Sequence, residues 1–320
     1  MASDTHWAQT RETGSLLGMR FLLFVYRYGG RWLFRLCLLP VICFYMVFRP
    51  ASYRASQDYL HKMHAATSDF PAPRPWHSFY HLWHFADSLL DKLGVWMGRI
   101  TRQDVVLHDG EIIDELLASG QGALILISHL GNFEICQALS ETRPNLRLTV
   151  LHHTANAVKF NQVLSEYNRA SAVDLVQVSD LDMSVAMQLS EKISAGQFIA
   201  IAADRVAINN TERCARLDFL GHPAPFPVGP FVLATALQAP VLTIHCIRQA
   251  GRYHIYFEYL WHGGGINRRN RQQQIDNLMQ GYVQRLQHYC LQAPWQWYNF
   301  YPFWAPQLPP DSNSNRETSP

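Results

Sequence analysis

His129 and Glu134 stand five residues apart in Ser128–His129–Leu130–Gly131–Asn132–Phe133–Glu134, directly after the apolar run 123–127. An imidazole and a carboxylate so placed can serve as a base and its orienter. The ring takes a proton from an attacking hydroxyl while the carboxylate holds the ring and stabilises its charged form. The run Ala123–Leu124–Ile125–Leu126–Ile127 reads as a buried strand. Such a strand delivers His129 to its carboxyl end, the edge where open α/β sheets bind ligands. Glu134 then falls in the first turns of a helix, with Gly131 and Asn132 permitting a tight turn between. The same residues also suit an ordinary helix start, where the macrodipole favours Glu134 and His129 is a satisfied polar residue. Their position immediately after the strand favours chemistry.

Other polar residues follow other strand-like runs. Asp204 and Arg205 come directly after 198–202, and His152 and His153 after 146–151. In a parallel sheet all of these emerge on the edge that carries His129, although a loop ion pair and structural histidines are the plainer alternatives. The segment 219–230, FLGHPAPFPVGP, reads as a proline-stiffened loop opening a helix at Gly229 and Pro230. That helix start could hold an anionic group or a developing oxyanion. Substrate-binding candidates are therefore Asn132, His153, Asp204, Arg205 and Gly229. No metal is expected. His77, His81 and His84 are interleaved with Trp76, Phe79, Tyr80 and Trp83, as on an amphipathic aromatic helix. Asp180 and Asp182 sit before a helix, where Asp is a usual cap. No GxSxG, phosphate-loop or dinucleotide fingerprint occurs.

The elements that must position these residues alternate along the chain. Strand-like runs fall at 123–128, 146–151, 173–178, 198–202, 240–247 and 253–260, with helix-like runs at 111–119, 132–141, 156–170, 182–195, 229–238 and 271–292. This predicts an α/β fold with a mixed, mainly parallel sheet flanked by helices. The last two strands adjoin with no helix between them, which predicts an antiparallel edge.

Of the 320 residues, 48% are apolar and 16% charged, with a formal net charge of +2. That charge is too small to argue for nucleic acid. Six cysteines without CxxC spacing read as reduced thiols of a protein on the cytosolic side. Residues 16–28 and 32–48 are strongly apolar and punctuated by Arg20, Arg27, Arg31 and Arg35. They predict an N-terminal helical membrane anchor, spanning or interfacial; a pair of buried core helices is the alternative. The aromatic segment 295–304 either caps the core or touches lipid. Residues 1–60 are thus read as a membrane-associating segment, 61–308 as the catalytic domain, and 309–320 as a disordered polar tail.

Taken together, HLGNFE, AADR, FLGHPAPFPVGP, PWQWYNFYPFW and the apolar N-terminus resemble the lipid A late acyltransferases, the lauroyl and myristoyl transferases related to glycerolipid acyltransferases. The resemblance implies transfer of a fatty acyl group from an acyl carrier protein or coenzyme A thioester to a lipid or glycolipid hydroxyl. It implies a reaction at the cytoplasmic face of the bacterial inner membrane, without a cofactor. It also implies His129 as general base and Glu134 as its supporting carboxylate. Three positions depart from that family: His152–His153, Arg205, and Asn299–Phe300–Tyr301 stand where the family has other residues, which points to a different acceptor or donor. WAQTRETG, GMRFLLFVYRYGGRW and HHTANAVKFN resemble acyltransferases associated with aryl polyene pigment clusters, so a polyene acyl group is a further candidate. With water as acceptor the same scaffold would be an acyl thioesterase; a non-catalytic lipid- or carrier-binding partner is the third reading.

Overall fold

A computed structural model describes residues 16–140, 145–152, 173–177, 183–206 and 213–304. Three helices come first: α1 (Leu16–Phe48), α2 (Pro50–Ala66) and α3 (Pro75–Trp96). The chain then runs β1 (Val105–His108), α4 (Glu111–Ala118), β2 (Ala123–Ile127), α5 (Phe133–Ser140), β3 (Leu148–His152) and β4 (Val173–Gln177). It continues through α6 (Met183–Ser194), β5 (Phe198–Ala202), β6 (Cys214–Phe219), β7 (His222–Pro227) and α7 (Gly229–Leu237). Last come β8 (Val241–Gln249), β9 (Arg252–Trp261) and α8 (Arg271–Gln292).

Seven strands form one sheet in the order β1-β9-β8-β2-β5-β3-β4. Its neighbours pair in parallel except β8 and β9, which are antiparallel. The mixed, mainly parallel sheet is therefore as expected. The antiparallel pair exists but is not the edge, because β1 adds in parallel outside β9. β1 has only four residues, too few to display a strand period.

The centre of the sheet is buried on both faces, which explains why β2 is an unbroken apolar run. Successive side chains point to opposite faces. Leu124 and Leu126 join the core formed with α8, whereas Ala123, Ile125 and Ile127 join the core formed with α4 and α5. The proline-rich segment is not a loop but the second strand of a hairpin, β6–β7. Pro223, Pro225 and Pro227 fall at alternate residues, so only one edge of β7 loses its donors and the other edge can pair.

In α1 two helical stretches meet at Gly30, whose φ of 71° and ψ of −174° are not helical. Residues Phe24–Phe48 are long and apolar enough to cross a membrane. Val25, Phe34, Leu38 and Ile42 turn inward against Leu82, Ala86 and Leu90 of α3. Tyr28, Trp32, Phe44 and Phe48 are exposed. All six cysteines are free: Cys246 and Cys290 are buried, while Cys43 is exposed on α1. The helix expected at 156–170, His153, Asp180, Asp182 and the tail 309–320 lie outside the described residues.

Candidate active site

β2 and β5 are parallel neighbours registered Ile127 to Ala202, so both chains leave the sheet at the same carboxyl edge. There the His129 and Asp204 side chains meet. Asp204 is fully buried. Its Oδ1 accepts from His129 Nδ1 at 2.8 Å, and its Oδ2 accepts from the His129 backbone N–H at 2.8 Å and from Trp297 Nε1–H at 3.1 Å. Burial opposes ionisation of this carboxyl. The charge and hydrogen bonds of His129, with the nearby Arg205 guanidinium, overcome that penalty and hold it at about 2. An ionised carboxylate can only accept, so Nδ1 carries the ring proton and Nε2 is the basic nitrogen. The His129 side chain keeps 37% of its surface exposed, so the ring is reachable from solvent.

The turn after His129 is set by close backbone approach. Gly131 has φ +69°, and a Cβ there would lie 1.8 Å from the Cys246 carbonyl oxygen, so only glycine fits. Gly131 N–H donates to Gln296 O at 2.7 Å and Asn132 N–H to Cys246 O at 2.9 Å. The Asn132 side chain is buried and donates to Ser88 O at 2.9 Å, tying the turn to α3. Tyr298 N–H donates to His129 O at 3.0 Å. Behind Trp297 lies a second imidazole, that of His81. Its Nε2 donates to the Trp297 carbonyl at 2.9 Å, so its Nδ1 accepts from the Ser56 hydroxyl at 3.0 Å. Burial pushes the His81 pKa down to about 3 and keeps this ring neutral.

The structure brings together His129 and Asp204, whereas Asn132 lies in the turn after His129 with its side chain on Ser88. Arg205 follows at once but turns toward the C-terminal segment, donating from Nη2 to Tyr298 O at 2.6 Å with its guanidinium over the Tyr301 ring. Glu134 lies in the first turn of α5, and the carboxylate on Nδ1 belongs to Asp204, 75 residues from His129. Gly229 opens α7 between Pro227 and Pro230. His77, His81 and His84 are separate members of α3, and no group of three or more metal-ligating side chains occurs among the described residues. Trp297 was missed as a site residue. Its only signal was the aromatic density of 295–304, most of which packs into the core, as Trp297, Tyr301 and Phe303 show.

Residues 72–305 match the sequence model of a family described as bacterial lipid A biosynthesis acyltransferase. Over 149 residues the chain is 26% identical to a phosphatidylinositol mannoside acyltransferase of Mycobacterium tuberculosis and 25% identical to the protein of that name from a second strain. The aligned part is 46% of this chain and 46% of each relative, so the chain matches about half the length of these relatives.

Proposed function

The chain belongs to the bacterial lipid A biosynthesis acyltransferase family, and from that premise we propose that it transfers an acyl group to a lipid or glycolipid hydroxyl at a membrane surface. The observation that carries this reading is the His129–Asp204 pair at the carboxyl edge of β2 and β5. In the proposed step Nε2 of His129 takes the proton of the acceptor hydroxyl as its oxygen attacks the thioester carbonyl carbon. Collapse of the tetrahedral species breaks the C–S bond, and the imidazolium returns its proton to the thiolate. Atoms and charge balance without a covalent acyl-enzyme. Asp204 holds the ring in the required tautomer and offsets its positive charge. We propose that Glu134, in the first turn of α5, adds its negative charge in support of the imidazolium. General-base help of this kind is worth about 10²- to 10⁴-fold in rate.

The donor is an acyl carrier protein or coenzyme A thioester. A glycolipid acceptor agrees with the name of the relatives, phosphatidylinositol mannoside acyltransferase. The exposed apolar face of α1 supports membrane association, and we place the site at the cytoplasmic face of the inner membrane. The test is transfer by the purified full chain from acyl carrier protein and coenzyme A thioesters to extracted lipids, read by mass spectrometry. Wild type should form an acylated lipid that His129→Ala, still folded, does not form. Full activity in His129→Ala, or thioester hydrolysis that ignores the acceptor, would overturn the assignment.

A further inference from the structure

A second charged cluster adjoins the HLGNFE turn. Asp87 of α3 receives Arg31 Nε and Nη2 at 3.2 and 2.6 Å, Arg35 Nε and Nη2 at 2.9 and 2.8 Å, and Arg248 Nη1 at 3.2 Å. Arg31 Nη2 also lies 2.9 Å from Asp91 Oδ1. A carboxylate offers about four acceptor positions, whereas each guanidinium has five N–H donors. Three cations on two carboxylates leave the cluster positive. Burial works against ionisation of Asp87, but the Arg35 and Arg31 hydrogen bonds hold it at about 2. Burial raises the Asp91 pKa despite Arg31. His84 nearby adds little positive charge, because burial lowers its pKa.

These arginines are not sealed in. Side-chain exposure is 27% for Arg31, 37% for Arg35 and 34% for Arg248. Arg248 is the penultimate residue of β8, the parallel neighbour of β2, and so lies on the edge that carries His129. Its backbone N–H and C=O are both bonded to the Gln296 side chain, and the Gln296 backbone carbonyl receives Gly131 N–H. Ser88, next to Asp87, accepts from Asn132. Arg31 and Arg35 come from α1, beside the exposed rings of Tyr28 and Trp32; Tyr and Trp favour the headgroup level of a bilayer. The cluster therefore joins the sheet edge of the site to the lipid-facing helix. Planar guanidinium forks suit phosphate oxygens.

We propose that Arg31, Arg35 and Arg248 form a binding site for a phosphate group of a substrate, beside the His129 turn. Two substrates can bring that group, a lipid headgroup or the donor's coenzyme A or phosphopantetheine arm. The probes are dioleoyl phosphatidic acid against dioleoylglycerol in mixed micelles, and coenzyme A against pantetheine, titrated calorimetrically into the full chain in detergent. The phosphate-bearing member of at least one pair should bind more tightly, and which pair it is identifies the source. Arg35→Gln and Arg248→Gln should each weaken that binding about 10-fold, with Arg→Lys intermediate. His129→Ala should bind like wild type, so this readout is independent of turnover and a failure here is separable from a failure of acyl transfer. Equal binding within both pairs, or undiminished binding in folded Gln variants, would overturn the proposal and leave the cluster as a tether for α1 only. If the Gln variants do not fold, phenylglyoxal labelling of wild type decides. A phosphate-bearing probe should protect Arg35 and Arg248 from modification, and labelling unchanged by either probe refutes the site.

Discussion

The His129 imidazole takes its tautomer from one carboxylate, and that carboxylate is itself positioned by an indole. Asp204→Asn keeps the shape but removes the charge, and the amide can hold the ring in the wrong tautomer. Turnover should fall about 10²- to 10⁴-fold with little change in KM, measured beside Glu134→Gln, for which a smaller loss is expected. Trp297→Phe removes the N–H on Asp204 Oδ2. The less solvated carboxylate then stabilises the imidazolium more. The acid limb of the kcat/KM profile should move to higher pH while kcat falls about 10-fold; a purely structural role for Trp297 would leave the limb where it is. Asp204 also couples folding to pH. Its folded pKa of about 2 lies below the ordinary 3.8, so its stabilisation is complete above the unfolded value and is lost as pH falls through the folded one. Urea unfolding followed from about pH 5 down to about pH 2 should show a loss on the order of 2 kcal/mol that Asp204→Asn lacks.

At the scale of elements, the site is the joint between β2, β5, β8 and the 295–299 segment. Gly131→Ala places a Cβ against the Cys246 carbonyl in a left-handed conformation. It should destabilise the protein by about 2–4 kcal/mol, measured by denaturant titration. The central strands were legible because each is a short apolar run bounded by turn residues, and β5 was placed residue for residue. β1 was not legible, since its order comes from pairing with β9, a partner distant in the sequence. Neither was the β6–β7 hairpin. Alternating prolines argue against a strand unless its bare edge is known to face away from the partner, and only the assembled pair settles that.

For the whole molecule, the decisive feature is a helix whose inner stripe belongs to the domain and whose outer face does not. Arg31 and Arg35 would be costly in lipid, yet both turn inward onto Asp87, leaving Trp32 and Phe44 outside. Trp32→Asp and Phe44→Asp should each lower partitioning of the full chain onto phospholipid vesicles about 10-fold or more, by co-sedimentation, with thermal stability unchanged.

The sequence by itself determined the α/β class, the order of the central strands along the chain, the apolar N-terminal helix, and the prominence of His129 and Asp204 at strand ends. These follow from local periodicity and from turn chemistry within a few residues. Which carboxylate reaches the Nδ1 of His129, why Trp297 matters, and why the arginines of α1 gather on Asp87 were decided only by tertiary structure. The partners in those contacts lie 75, 93, 56 and 52 residues apart. Their energies come from burial and charge pairing, which exist only once the β2–β5 edge, α3 and the C-terminal segment are packed together. The pairing of His129 with Asp204 is thus a property of the sheet.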